Sequence, residues 1–272
     1  MQKINIGFIG GGNMASAIIS GLTANHFAGK NIYVIEPDAD KSAALAARFG
    51  VNTAENTDKI STCDVVVLAV KPQQLKAICQ SLTLCAPQLV ISIAAGIRAT
   101  DMARWLGGHQ AIIRVMPNTP AQIQAGVSAL FAMQNVSETQ RNIAENIMAA
   151  VGKTLWVEDE KAMDAVTAIS GSGPAYVFYM IEALEEAGVK LGLSPENARI
   201  LALETFAGAS KLASQSETDV KTLRAQVTSK GGTTEQGILV MESANIKEIL
   251  YQTAKAAQEK SVILGDALGS ES

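Results

Sequence analysis

Residues 3–15 read KINIGFIGGGNMA, which predicts a buried strand, a glycine turn and the first turn of a helix. Residues 4–9 are rich in β-branched and aromatic side chains and sit between a charged start and a glycine stop, as strands do. The turn follows the pattern G-x-G-x-x-A at Gly10, Gly12 and Ala15. Gly10 permits the sharp turn, Gly12 carries no Cβ and lets a pyrophosphate approach the backbone, and Ala15 lets the helix pack near the strand. The helix expected over residues 13–25 aims its free N–H groups and the positive end of its dipole at that point. Glycine turns also occur wherever a chain reverses, so context decides. An apolar face (Met14, Ile18, Ile19, Leu22) follows, and a second strand over residues 31–35 ends at Glu36, twenty-one residues beyond Ala15. An acid at that distance is placed to bond ribose hydroxyls, so the stretch reads as a dinucleotide cradle.

The bulk of the chain agrees with a globular enzyme. Its 272 residues suffice for one large domain or two modest ones, and 48% hydrophobic with 18% charged residues excludes disorder. No apolar run has the length of a membrane span, and the amino terminus enters its strand without the apolar region of a secretion signal. A cytoplasmic protein is expected. A formal charge of −4 argues against non-specific nucleic-acid binding. Cys63, Cys79 and Cys85 form no C-x-x-C pair, so neither a disulfide framework nor a metal site is expected, only reduced and packed thiols.

Downstream the first half alternates strand and helix. A helix is expected over 38–50, strands over 64–70 and 88–94, and helices over 73–84 and 99–106. A fifth strand follows over 111–116 and ends in PNTP at residues 117–120. Further strands are expected at 126–133 and 154–157 around a helix at 137–151. Unbroken apolar runs such as DVVVLAV at 64–70 read as strands buried on both faces, hence a parallel sheet covered by helices on each side. Ligands in such sheets bind outside the carboxyl ends of the strands, which directs attention to Gly10–Asn13, Glu36, Val70 with Lys71, and residues 94–96 with Asn118 behind them. Taken alone, Lys71 also fits a solvated strand end, and PNTP also fits a rigid turn.

From about Glu160 the pattern is helical throughout, so the chain divides into a dinucleotide-binding part, 1–160, and an all-helical part, 161–272. Residues 163–191 form one apolar segment interrupted by SGSGP at 170–174. Helices follow over 195–213, 219–227, 233–243 and 246–264, and residues 265–272 read as a frayed end. Alanine-rich helices with little aromatic bulk need a partner subunit to complete their core, so a homodimer through this half is expected. Within it, TSKGGTTE at 228–235 places glycines and hydroxyls at the start of a helix. This is a second anion pocket, too short for a Walker loop and suited to a carboxylate. A plain helix cap by Thr233 or Thr234 is the competing reading.

GFIGGGNMA, AVKP, SIAAG, VMPNTP, SGSGPAY and TSKGGTT, in this order and at these intervals, resemble the pyrroline-5-carboxylate reductase family over nearly the whole chain. The resemblance implies an α/β Rossmann-type doubly wound sheet followed by an all-α dimerisation domain, with dimers often assembled into a larger ring. It also implies reduction of 1-pyrroline-5-carboxylate to L-proline by NADPH or NADH, without a metal. The family's cofactor contacts match Phe8, Ile9, Gly10, Gly11, Gly12, Asn13 and Met14, then Glu36, Asn56, Ala69, Val70, Lys71, Ala95 and Gly96. Its substrate contacts match Gln226, Ser229, Gly231, Gly232, Thr233 and Thr234, with Thr234 nearest the ring nitrogen. Lys230 stands where the family often has proline, and Gln226 where it often has asparagine.

Hydride transfer to a carbon–nitrogen double bond needs an electron-poor carbon. His26 and His109 both fall in regions reading as loops, so a histidine acid is not expected and the imine is expected to bind as its iminium, oriented by Thr234. Its carboxylate is expected on the N–H groups of Gly232, Thr233 and Thr234, helped by Ser229. A 2′-phosphate at 4 Å from Glu36 would meet a repulsion of up to about 4 kcal/mol at intermediate dielectric, which leans the cofactor towards NADH. Two other readings compete. A β-hydroxyacid dehydrogenase would carry a lysine on the long helix, where SGSGPAYVFYM has none. A dinucleotide sensor without turnover would not need the second pocket.

Overall fold

The structure is a computed structural model and describes residues 4–270. The chain packs as two compact units, one of residues 4–172 with 256–270 and one of residues 173–255. In the first, strands β1 (Ile6–Ile9), β2 (Ile32–Ile35), β3 (Asn52–Ala54), β4 (Val65–Leu68), β5 (Leu89–Ser92), β6 (Ile112–Met116), β7 (Gly126–Ala132) and β8 (Gly152–Trp156) form one eight-stranded sheet in the order β3-β2-β1-β4-β5-β6-β7-β8. Helices α1 (Asn13–Ala24), α2 (Ala39–Phe49), α3 (Pro72–Ser81), α4 (Ala99–Trp105) and α5 (Glu138–Ala149) connect them, and α6 (Ala162–Val166) follows.

The apolar runs do what their patterning requires. Along β4, Val65 and Val67 enter one core layer with Ile6, Phe8 and the α1 residues Ile18, Ile19 and Leu22. Val66 and Leu68 enter the opposite layer with Leu75 and Cys79 of α3 and Met102 and Trp105 of α4. Alternate side chains thus feed two different layers, which is why no polar residue interrupts the strand. Helix ends follow their sequence signals. Asp38 accepts from Lys41 N at the start of α2, Gly50 closes that helix in a left-handed conformation, and Ser137 with Gln140 forms a reciprocal cap on α5.

Four expectations need correction. The sheet is not parallel throughout: β3 to β6 run one way, whereas β7 pairs antiparallel with β6 and runs the other way together with β8, its parallel neighbour. The link between β6 and β7, residues 117–125, is too short for the crossover that a parallel pair needs, and a return beside β6 is the remaining solution. Strand β3 was not anticipated, since Asn52–Ala54 is a short, polar, partly exposed edge without alternation. Residues 265–269 are helical and packed, not frayed, while 271–272 lie outside the described residues. Of the thiols, Cys63 and Cys79 are buried as expected, and burial pushes them up to about 11 and about 12, but Cys85 is exposed.

A turn with π-type bonding, Thr167–Gly171, precedes the second unit, which holds α7 (Gly173–Lys190), α8 (Pro195–Gln215), α9 (Val220–Gln226), α10 (Thr233–Ser243) and the first part of α11 (Ile246–Gly269). Gly188 of α7 packs directly on Ala198 of α8. Large apolar side chains on these helices nonetheless face outward: Phe178 is 65% exposed, Tyr179 71% and Val240 68%. Apolar surface on this scale marks an interaction face.

A buried ion pair ties the start of the helical sequence to the sheet. Arg114 on β6 is 4% exposed at its side chain and meets Glu160 at 3.1 Å, and the same carboxylate oxygen accepts from Ala99 N at 2.7 Å at the head of α4. Glu160→Ala therefore leaves a buried guanidinium without its partner and is expected to cost about 3 kcal/mol of stability in urea unfolding. A loss below about 1 kcal/mol would show that water compensates Arg114.

Candidate active site

The three glycines after β1 serve different ends. Gly10 has φ +94°, and a Cβ there would lie 2.7 Å from the Ala69 carbonyl oxygen, so the fold itself demands glycine. At Gly11 a Cβ would meet Leu45 at 2.6 Å. Gly12 is different: it is exposed, its backbone is extended at φ −69° and ψ −175°, and a Cβ would meet nothing within 4 Å. Neither strain nor packing requires glycine at Gly12, and the space in front of it is open. Gly12 is also the N-cap of α1, and no side chain closes that cap. The first-turn N–H groups, including those of Asn13 and Met14, are left facing that space.

Strand ends converge around this loop. Gly10 N donates to Ile35 O and Ala69 N to Ile9 O, both at 2.9 Å, while Ile93 N donates to Leu68 O at 3.1 Å. These bonds bring Phe8–Met14, Glu36, Ala69–Lys71 and Ala95–Gly96 to the carboxyl edge of neighbouring strands. The sheet order reverses at β1, with β2 on one side and β4 on the other, which is where such folds open a crevice. Asn56 lies just past β3 on the same edge, and its Oδ1 accepts from Asp58 N at 3.3 Å. Lys71 is the exposed residue before α3, with Pro72 next to it. Asn118 is committed to the fold, since its Oδ1 accepts from Val127 N at 2.9 Å and fixes the return into β7.

Glu36 is buried and doubly bonded: Oε2 accepts from Gly11 N at 2.9 Å and Oε1 from Asp38 N at 3.0 Å. The acid chosen from the sequence for ribose recognition thus also holds the glycine loop against the end of β2. Lys41 stands nearby with its ammonium 3.0 Å from Asp38. That pairing raises the Lys41 pKa, with a smaller contribution from Glu36, and lowers that of Asp38, chiefly through the Lys41 backbone N–H. The sequence signal for this cation is its position in the first turn of α2 beside two acids, Asp38 and Asp40.

The TSKGGTTE loop joins α9 to α10 within the helical unit. Gly231 adopts φ +75°, and a Cβ on Gly232 would lie 2.9 Å from Ser229 Oγ. Gly232 N donates to Ser229 O at 3.0 Å, so the turn itself uses that donor. Gly232 is the N-cap of α10 and no side chain caps the helix, which leaves the N–H groups of Thr233 and Thr234 at an open end. Neither threonine acts as the helix cap that the competing reading required. Ser229, Thr233, Thr234 and Gln226, the last residue of α9, are all exposed on this loop. Arg224 and Glu242, 3.8 Å apart, link the two helices that carry it. One member escaped the sequence reading: Glu235, whose carboxylate accepts from Gly231 N at 2.7 Å. A glutamate three residues after a helix N-cap is a recognised capping signal and was legible there.

No cluster of metal-ligating side chains occurs among the described residues. Nor does any helix among them have the length and apolarity to cross a membrane.

The chain is similar to known proteins over nearly its whole length. Residues 160–264 match the model for pyrroline-5-carboxylate reductase dimerisation, and residues 5–96 match that for NADP oxidoreductase, coenzyme F420-dependent. The pyrroline-5-carboxylate reductase of Pseudomonas aeruginosa is 43% identical over 99% of this chain and all of its own length. Among solved structures, the reductase of Coxiella burnetii superimposes with a TM-score of 0.91 at 43% identity, covering 97% of this chain and 99% of that one. The Plasmodium falciparum reductase, solved with NADP bound, does so at 0.86 and 32% identity, with 97% and 99% covered. With relatives at 43% identity over nearly the whole chain, the chain belongs to the pyrroline-5-carboxylate reductase family.

Proposed function

We infer that the chain reduces 1-pyrroline-5-carboxylate to L-proline with NADH or NADPH, the last step of proline synthesis. The observation that carries this reading, beyond family membership, is the pair of open helix ends at Gly12 and Gly232. The open space at Gly12 fits a pyrophosphate, so the residues present suit a dinucleotide. When bound, its reduced nicotinamide supplies the hydride. The loop from Phe8 to Met14 holds the phosphates, and Glu36 and Asn56 serve the ribose side. Ala69, Val70, Lys71, Ala95 and Gly96 form the wall along the strand ends.

In the second loop the Thr233 and Thr234 N–H groups, with the Ser229 hydroxyl, take the substrate carboxylate, and Gln226, Gly231 and Gly232 shape the pocket. The Thr234 hydroxyl orients the ring nitrogen, which enters protonated. Neither histidine belongs to either loop. His26 sits on an exposed turn, and His109 bonds Gln88 O at 2.9 Å at the amino-terminal end of β5, away from the crevice. Catalysis then rests on holding the acceptor carbon in place and on dipoles aimed at its charged groups.

The division into a dinucleotide-binding part, 1–160, and a dimerisation and substrate-binding part, 161–272, belongs to the same proposal. The outward apolar residues of α7 and α10 support a homodimer through the helical part, with larger rings built from such dimers. Three free cysteines fit a reducing compartment, and the cytoplasm is the proposed location. We further propose a preference for NADH, since the buried Glu36 carboxylate disfavours a 2′-phosphate, moderated by Lys41.

Four substitutions test these assignments. Gly12→Ala is expected to keep stability within about 0.5 kcal/mol while weakening cofactor binding about tenfold, whereas Gly10→Ala costs about 1–3 kcal/mol in unfolding measurements. Cofactor affinity unchanged in Gly12→Ala would remove the phosphates from that position. Thr234→Ala should lower kcat/KM ten- to hundredfold, about 1–3 kcal/mol, in a folded protein, and unaltered turnover would end its role at the nitrogen. Glu36→Ser loosens the loop for either cofactor, so the ratio of the two specificity constants is the informative quantity. It should move towards NADPH, and a constant ratio would refute the electrostatic argument.

A further inference from the structure

We propose that the carboxyl-terminal turns of α11 form a clasp that positions the Ala95–Gly96 wall, making Gly265 and Asp266 positioning residues for cofactor binding. The inference rests on the reading of Ala95 and Gly96 as part of the dinucleotide crevice. All of its contacts lie within the first unit, to which residues 256–270 belong. Gly265, Asp266 and Gly269 fall beyond residue 264, where the match to the dimerisation model ends.

Gly96 is buried with φ +77°, a left-handed position in the loop between β5 and α4 that carries no side chain to anchor it. What it rests on is α11. A Cβ on Gly96 would lie 3.7 Å from Leu264 and 3.8 Å from Gly265 N, so the wall lies flat against that helix turn. From the other side, a Cβ on Gly265 would come within 2.8 Å of the Gly96 carbonyl oxygen, and only glycine allows this approach. Polar contacts fix the helix on both sides of that point. Ser261 Oγ donates to Asp164 Oδ1 at 2.7 Å, Arg98 Nη2 meets Asp266 Oδ1 at 2.5 Å, and Arg104 Nη2 donates to Gly269 O at 2.5 Å. Arg98 is the N-cap residue of α4, two residues beyond Gly96, so the Asp266 carboxylate holds the far end of the same loop. Leu268 adds apolar contact with the core layer under α3 and α4.

A strand-end loop built of alanine and glycine has little stiffness of its own, and a shift of about 1 Å in a wall that orients a reactive ring is costly. The clasp supplies that stiffness. A methyl group on Gly265 presses on backbone, which yields only by moving the loop. A methyl on Gly269, one turn later on the same face, meets the Asp101 carboxylate, a side chain and not the backbone of the loop. The two alanine variants gain the same helix propensity and differ in what they push.

The test is a titration of purified full-length wild type, Gly265→Ala and Gly269→Ala with NADH and NADPH, followed by intrinsic fluorescence, with melting temperatures recorded alongside. The clasp predicts a cofactor Kd at least fivefold higher in Gly265→Ala and a rise less than half as large in Gly269→Ala, where the added methyl meets a side chain and not the Gly96 backbone. Equal Kd values in all three proteins, or equal losses in both variants, would overturn it, as would a lower melting temperature in Gly265→Ala with its Kd unchanged. Should Gly265→Ala fail to fold, Asp266→Asn carries the test, with a Kd raised at least twofold expected and an unchanged Kd decisive against. Wild type that binds neither dinucleotide would instead remove the crevice reading, and the clasp with it.

Discussion

The first backbone N–H groups of a helix have no partner inside the helix, and a folded chain must either close them or leave them for something else. Four helices here close them with a side chain at the N-cap: Asp38, Ser137, Ser194 and Asp219. Helices α1 and α10 instead begin at glycine, Gly12 and Gly232, with no side-chain cap. Leaving donors open costs helix stability, about 1 kcal/mol per cap, and in both cases the surrounding loop is built to keep the opening. Glu36 bonds Gly11 N, and Glu235 bonds Gly231 N, each tying down the donor just before the N-cap without covering the ones after it. The same device thus appears twice, and the proposed function gives one end to a pyrophosphate and the other to a carboxylate.

Around the first opening, the sheet supplies rigidity. Strands β1, β2, β4 and β5 are fixed from both faces because their alternate residues belong to different core layers. Their carboxyl ends therefore form a hard edge on which short loops of glycine and alanine can be small and still be placed. Where a loop lacks support of its own, as at Gly96, a distant part of the chain backs it. The helical unit relies on other means. Its apolar faces are uncovered in a single chain, and its loop is framed by Arg224 and Glu242 across α9 and α10.

Much of this was legible in the order of residues, for reasons that are local. Gly10, Gly12 and Ala15 differ in their demands on φ and on space, and DVVVLAV declares a strand with two buried faces. The helix starts at Asp38, Ser137 and Ser194 carry their own caps. The motif series placed the family. What escaped was set by contacts between residues far apart in sequence or by the absence of a pattern. The antiparallel β7 follows from a short link and a neighbouring strand, and β3 has no alternation to read. The second function of Glu36 depends on a backbone N–H twenty-five residues away. The packed end of α11 depends on Gly96 and Arg104, more than a hundred and fifty residues before it. Glu235 carries a capping signal that is readable from its place three residues after Gly232.

The claim that two open helix ends recognise the two anionic groups of the reaction is tested most directly by a crystal structure of the protein grown with reduced dinucleotide and L-proline. The account predicts the pyrophosphate within hydrogen-bonding distance of the backbone at Gly12–Met14 and the proline carboxylate on the N–H groups of Thr233 and Thr234. A dinucleotide bound elsewhere, or a carboxylate held by side chains away from Ser229–Thr234, would contradict it.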